Sequence, residues 1–195
     1  MTQKTIIFDL DDTAGNLKVR LQDIYRRATG NNEILYTDWI DYNAKDRYGI
    51  TSDELSKLFM EDKSLQLMEP HDALVEVTQE LRDRGYRIEF VTARAWHPEA
   101  EEITNEWLAR HRVVHDKVNI VPLFECKEEV TRHIENIHLF IDDRYDHCKS
   151  MLKSGRIGMA LLYAQPWNER LHHTFTMPGE KLVRIEQLTD VLQYA

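Results

Sequence analysis

The chain has 195 residues, 42% hydrophobic and 30% charged, which fits one domain or one core with a modest insertion and excludes disorder and large multidomain machinery. Lys plus Arg number 25 against 34 for Asp plus Glu, a formal net charge of −9, the wrong sign for an extended nucleic-acid surface. Met1-Thr2-Gln3-Lys4 runs straight into Thr5-Ile6-Ile7-Phe8 without the zones of a signal peptide. The longest nearly apolar stretch, 157–164, is far too short for a membrane helix. Only Cys126 and Cys148 are present, too few for a structural zinc site or a disulfide framework. The expectation is a cytoplasmic protein with no membrane partner and two buried thiols.

In chain order, a β-branched and aromatic run predicts the first strand over 5–10. Helical spacing follows at 17–28, a turn at Gly30-Asn31-Asn32, and further helices at 38–46 and 52–60. Beyond these come helix 73–84, strand 87–92, helix 98–111, strand 118–121, helix 126–134, strand 137–141, helix 145–154, strand 157–163 and a final helix over 185–193. Buried strands alternating with helices predict an α/β fold with a doubly wound parallel sheet. About 75 residues separate the first two strands where a βαβ crossover needs roughly 30. Residues 16–70 are therefore expected to form a small helical cap inserted into a core of 1–15 and 71–195.

The first strand ends in three acids, Asp9, Asp11 and Asp12, and the strand at 137–141 ends in Asp142 and Asp143. Either cluster alone reads as capping or turn chemistry. Together they would face each other, because the carboxyl ends of strands in an open α/β sheet converge on one crevice. Crowded carboxylates repel unless a cation or substrate holds them, and an all-oxygen set suits Mg²⁺. Thr92 and Arg94 bring a hydroxyl and a cation to the same rim. Lys127 begins the helix leading into the acidic strand, with Lys117 as its competitor.

These residues resemble the haloacid dehalogenase superfamily of phosphotransferases. Asp9, Asp11 and Thr13 match its DxDx[T/V] motif, Thr92 the strand-ending hydroxyl, Lys127 the lysine, and Asp142 with Asp143 the paired acids. Asp12 stands where many relatives carry Gly. Phe90-Val91-Thr92-Ala93-Arg94, Ile141-Asp142-Asp143-Arg144 and Gln165-Pro166-Trp167-Asn168 are similar to the 5′(3′)-deoxyribonucleotidase branch. The resemblance implies a Rossmann-like core and a Mg²⁺-dependent phosphomonoesterase whose small phosphorylated substrate is a nucleoside monophosphate. By the same resemblance Asp9 is the nucleophile, and Mg²⁺ binds Asp9, the Asp11 backbone carbonyl and Asp142, with Asp143 orienting it. Thr92 and Lys127 would meet the transferring oxygens. Asp11 is expected to donate and accept the proton, kept partly neutral by crowding. Arg94 and Arg144 are candidate anion contacts. Among the cap aromatics Tyr36, Trp39, Tyr42, Tyr48 and Phe59, Trp39 and Tyr42 are candidates to stack on a base, while the simpler reading is packing within the cap. The alternatives are another small phosphate ester, a polynucleotide 3′-phosphate, or a non-catalytic binding protein on this fold. His71-Asp72 and His115-Asp116 echo an all-helical class of metal phosphohydrolases that the strands contradict, and His172-His173 are expected in a polar loop.

Overall fold

The computed structural model describes residues 3–122, 125–175 and 181–195. Six strands, β1 (Thr5–Phe8), β2 (Arg87–Thr92), β3 (Lys117–Ile120), β4 (Ile137–Asp142), β5 (Ile157–Tyr163) and β6 (Leu182–Ile185), form one sheet in the order β3-β2-β1-β4-β5-β6. Every neighbouring pair is parallel. Successive side chains leave a strand on opposite faces, and the apolar residues divide accordingly. Ile6, Phe8, Phe90 and Ile141 join one buried cluster, and Ile7, Val91, Phe140 and Leu162 the other.

Helices cover both faces. In chain order they are α1 (Leu17–Thr29), α2 (Ala44–Arg47), α3 (Ser52–Asp62), α4 (Ser64–Leu67), α5 (Leu74–Asp83), α6 (Ala100–Arg110), α7 (Lys127–Val130), α8 (Tyr145–Lys153) and α9 (Pro166–Phe175). Val77 and Leu81 of α5 and Trp107 of α6 close the first cluster, and Cys148 and Met151 of α8 close the second. The strand order reverses between β1 and β4, the switch point at which such sheets open a crevice.

Four local expectations change. The helix expected over 38–46 is a 3₁₀ turn, Tyr36–Asp38, followed by the single turn of α2. Trp39 between them is extended and buried against Tyr25, and Asp38, Asp41 and Asn43 belong to the residue types that compete with helical backbone bonds. The chain expected to be helical from 185 begins as β6 and continues into a 3₁₀ segment, Leu188–Gln193. Pro166 opens α9, a position where its fixed φ and missing N–H are harmless, so His172 and His173 lie in a helix and not in a loop. Cys148 is buried, but Cys126 is exposed at the start of α7, where its N–H donates to Glu129 at 3.1 Å. Among the described residues no helix is long and apolar enough to cross a membrane.

Helices α1–α4 lie between β1 and β2, and the two chain passages that join them to the sheet run side by side. Gly15 bridges Pro70 in antiparallel fashion, Asn16 N–H donates to the Glu69 carbonyl at 2.7 Å, and His71 N–H to the Ala14 carbonyl at 2.8 Å. A Cβ on Gly15 would lie 2.5 Å from Met68 Cε, so a larger residue there would have to displace the end of that side chain. Fully buried Trp107 donates its indole N–H to the Met68 carbonyl at 2.8 Å, stapling the returning passage to α6. Trp107→Phe removes the indole N–H and part of the ring volume and strands that carbonyl, so the expected loss is at least about 1–3 kcal/mol of stability. A urea denaturation midpoint unchanged by the substitution would contradict the staple.

Candidate active site

The β1–β4 pairing builds the site. Phe8 lies beside Ile141, and Asp9 N–H donates to the Ile141 carbonyl at 2.8 Å, which brings Asp9 next to Asp142. Ligand oxygens of Asp9, Asp142 and Asp143 all lie within 4.8 Å of one another, and the three residues are buried. Lys127, the first residue of α7, sits between two of them, its Nζ 2.5 Å from Asp9 and 2.7 Å from Asp142. Lys117 stands instead at the opposite, amino-terminal end of β3, with its Nζ 3.1 Å from His133 Nε2.

The charges are unevenly matched. Burial would raise the Asp142 carboxyl, but Lys127 and His147 beside it hold it well below the usual range. Burial pushes Asp9 up to about 6 against the pull of Lys127, with Asp142 and Asp11 adding repulsion. Burial and then the negative charges of Asp142, Asp9 and Asp12 push Asp143 well up. Burial alone would lower the Lys127 ammonium, and Asp142 and Asp9 reverse that. Lys127 therefore pairs directly with Asp9 and Asp142 and pulls more weakly on Asp143, which also faces the buried Lys18 ammonium. This oxygen-only, electron-rich set fits a hard divalent cation such as Mg²⁺.

Asp11 lies apart from this cluster. Its carboxylate accepts from Arg94 Nε at 2.9 Å and Nη2 at 2.5 Å, and from Thr92 Oγ1 at 3.5 Å. Among the described residues, Arg94 and Thr92 are thus the hydrogen-bond partners of the Asp11 carboxylate. Arg94 is itself fully buried, so the anion it meets in this structure is a carboxylate of its own chain. Arg144 donates its backbone N–H to Asp142 Oδ1 at 2.8 Å, but its guanidinium is engaged elsewhere. It pairs with Asp146 at 2.5 Å and its guanidinium lies 4.4 Å from the centre of the Tyr42 ring.

Four further residues complete the frame, three of them in the Gln165-Pro166-Trp167-Asn168 run and the fourth, Lys18, not singled out in the sequence. Trp167 Nε1 donates to Asp143 Oδ2 at 2.8 Å, Asn168 Nδ2 to the Asp143 carbonyl at 2.7 Å, and Gln165 Nε2 to the Asp12 carbonyl at 2.6 Å. Lys18 donates its backbone N–H to Asp12 Oδ1 at 2.6 Å, and its buried ammonium is lowered by burial against the pull of Asp12 and Asp143. The Gln165-Pro166-Trp167-Asn168 run was visible, but nothing in it tells which acid each side chain meets. Asp12 holds φ at +58°, a left-handed conformation that glycine adopts freely and that Asp tolerates because its short side chain bonds locally.

Above the acids, the inserted helices and the core enclose a cavity of about 150 Å³ reaching Asp11 and Asp12. Tyr25, Trp39, Tyr42, Phe59, Trp96 and Trp167 line it. Trp39 is 3% exposed and fixed by its indole bond to Tyr48 Oη at 3.1 Å, whereas Tyr42 is 49% exposed and edge-on to Trp167. Trp39 thus belongs both to the packing of these helices and to the cavity wall.

The family profile of 5′ nucleotidase, deoxy (Pyrimidine), cytosolic type C protein matches residues 3–178. No curated protein matches the sequence. Among solved structures, a haloacid dehalogenase-like hydrolase from Streptococcus pneumoniae superposes with a TM-score of 0.64 at 12% identity, covering 98% of each chain. A haloacid dehalogenase-superfamily hydrolase from Geobacter sulfurreducens gives 0.56 at 14% identity over 100% of each chain. An apo phosphoserine phosphatase gives 0.58 at 17% identity over 99% of each chain. At these identities the structures share the fold.

The acid site also carries a pH dependence. Burial pushes Asp12 up to about 7 from its ordinary 3.8 against the pull of Lys18, so the folded state holds that proton more tightly than the unfolded chain. Stability from this group is full at low pH and is lost as pH rises through the interval between the two values. Each tenfold difference in proton affinity between the folded and unfolded states is worth about 1.4 kcal/mol. Without divalent cations, Asp12→Asn is therefore expected to be more stable than the wild type at pH 8, by on the order of a few kcal/mol. The gap should close toward pH 4, and parallel pH profiles of the two proteins in thermal unfolding would contradict it.

Proposed function

The chain belongs to the 5′ nucleotidase, deoxy (Pyrimidine), cytosolic type C family, phosphatases of the haloacid dehalogenase superfamily, and on that premise we propose that it is a Mg²⁺-dependent phosphomonoesterase acting on nucleoside monophosphates. The observation that carries this reading is the buried set Asp9, Asp142 and Asp143 around Lys127, together with an aromatic-lined cavity that reaches the neighbouring Asp11 and Asp12.

In this reading residues 16–70 cap a core of 1–15 and 71–195, with the phosphate at the acids and the base among the cap aromatics. An Asp9 oxygen attacks phosphorus, the bond to the leaving oxygen breaks, and that oxygen takes a proton from Asp11, leaving an aspartyl-phosphate. Water then gives a proton to Asp11 and attacks phosphorus, and the bond to Asp9 breaks to release phosphate. Lys127 and Thr92 steady the equatorial oxygens. Asp9, Asp142 and the Asp11 backbone carbonyl would hold Mg²⁺, with Asp143, fixed by Trp167, orienting it. When bound, the ion supplies charge that offsets the repulsion between nucleophile and phosphate. Trp39 and Tyr42 offer aromatic surface to a base, and Arg144 acts indirectly by backing the Tyr42 ring. Two free thiols are in keeping with a reducing cytoplasm.

Phosphate release from nucleoside 5′- and 3′-monophosphates, sugar phosphates and an aryl phosphate tests the reading. The expected result is Mg²⁺-dependent release from nucleotides that stops with chelator and with Asp9→Asn, while Lys127→Ala costs about 10²- to 10³-fold in kcat. Near-normal turnover by Asp9→Asn, or release from the aryl ester alone, would contradict it.

A further inference from the structure

Arg94 is fully buried, and its three guanidinium nitrogens all have partners. Nε and Nη2 grip the two oxygens of Asp11, Nη1 donates to Thr104 Oγ1 of α6 at 3.0 Å, and Nη2 also lies 3.5 Å from Met68 Sδ. Burying a guanidinium is costly unless its hydrogen bonds are satisfied, and here they are satisfied inside the chain. A residue serving as a surface anion contact would leave part of its fork open. The two-pronged grip fixes the plane of a carboxylate as well as its position, which a single point charge does not do. Asp11 itself stays 21% exposed at the side chain and lines the cavity. Of the side chains that the Arg94 guanidinium contacts among the described residues, Asp11 is the one that lines the cavity.

We infer that Arg94 is a positioning residue that sets the plane of the Asp11 carboxyl for proton transfer at the leaving oxygen. Thr104 and Met68 anchor it, so that this plane is referenced both to the core helix α6 and to the passage returning from the inserted helices. The inference rests on the proton-transfer role given to Asp11 above.

Leaving groups differ in how much they need that proton. A sugar alkoxide must be protonated as its bond to phosphorus breaks, whereas 4-nitrophenolate departs as a stable anion. The experiment is single-turnover release of the leaving group by the full-length Mg²⁺-loaded protein. It compares the alkyl phosphate turned over best with 4-nitrophenyl phosphate, for the wild type, Arg94→Met and Asp11→Asn. Arg94→Met is expected to slow release from the alkyl ester about 100-fold while the 4-nitrophenolate burst stays close to the wild-type rate, the same pattern as Asp11→Asn. Equal slowing on both esters, or slowing on neither, would overturn the inference. Selectivity in Asp11→Asn without it in Arg94→Met overturns the inference alone, and even slowing by Asp11→Asn removes the proton-transfer reading and the inference with it. The outcome for the nucleotide reading shows in which alkyl ester is turned over best, not in this ratio. If Arg94→Met does not fold, Thr104→Val removes one anchor at nearly constant volume. A smaller slowing confined to the alkyl ester supports the inference, and an even or absent effect overturns it.

Discussion

The contact between Lys127 and the two carboxylates of Asp9 and Asp142 is the constraint on which the site depends. Parallel pairing of β1 and β4 obliges their terminal acids to meet at the switch point of the sheet. In a buried setting such a meeting is strongly unfavourable without a cation. The ammonium arrives on the first turn of α7, within 2.7 Å of both partners. Burial and mutual repulsion push the Asp9 and Asp143 carboxyls up, so ionising both is costly until further positive charge is present. In the proposed function a divalent cation would meet that demand and would also offset the repulsion of an incoming phosphate, tying substrate and metal binding to the same electrostatic imbalance.

A second arrangement connects the acids to the inserted helices. The passages at Gly15 and Met68–Pro70 are held together by backbone bonds and by Trp107, and Met68 touches Arg94, which grips Asp11. On the other side Gln165 and Lys18 pin the Asp12 turn, and Trp167 spans from Asp143 to the ring of Tyr42. The acids and the cavity roof therefore share supports. A displacement of the inserted helices would be felt at Asp11 and Asp143 without any change in the sheet.

Much of this was legible in the residues. Apolar runs ending in acids mark β1 and β4 because little else in a soluble fold calls for that pattern, and β2 and β5 have the expected bounds. Weaker signals failed for physical reasons. β6 has four residues, one of them Arg184, and leaves no periodicity to read. α9 begins at a proline, which marks turns as readily as helix starts. At the site, residue types were readable but long-range pairing was not. The partner of Arg94 is 83 positions away and that of Gln165 is 153 away, so neither the burial of that arginine nor the grip on Asp12 follows from local sequence. The exposure of Cys126 likewise depends on how α7 is seated, not on the chemistry of a thiol.

In the proposed mechanism the buried acid pair holds Asp9 as the nucleophile. Rapid acid quench of a single turnover with a phosphate-labelled nucleotide, followed by peptide mapping, tests it most directly. The expected result is one hydroxylamine-labile phosphoryl group on Asp9 that appears before free phosphate. Phosphoryl transfer to any other residue, or free phosphate formed with no labelled protein at any time, would contradict the account.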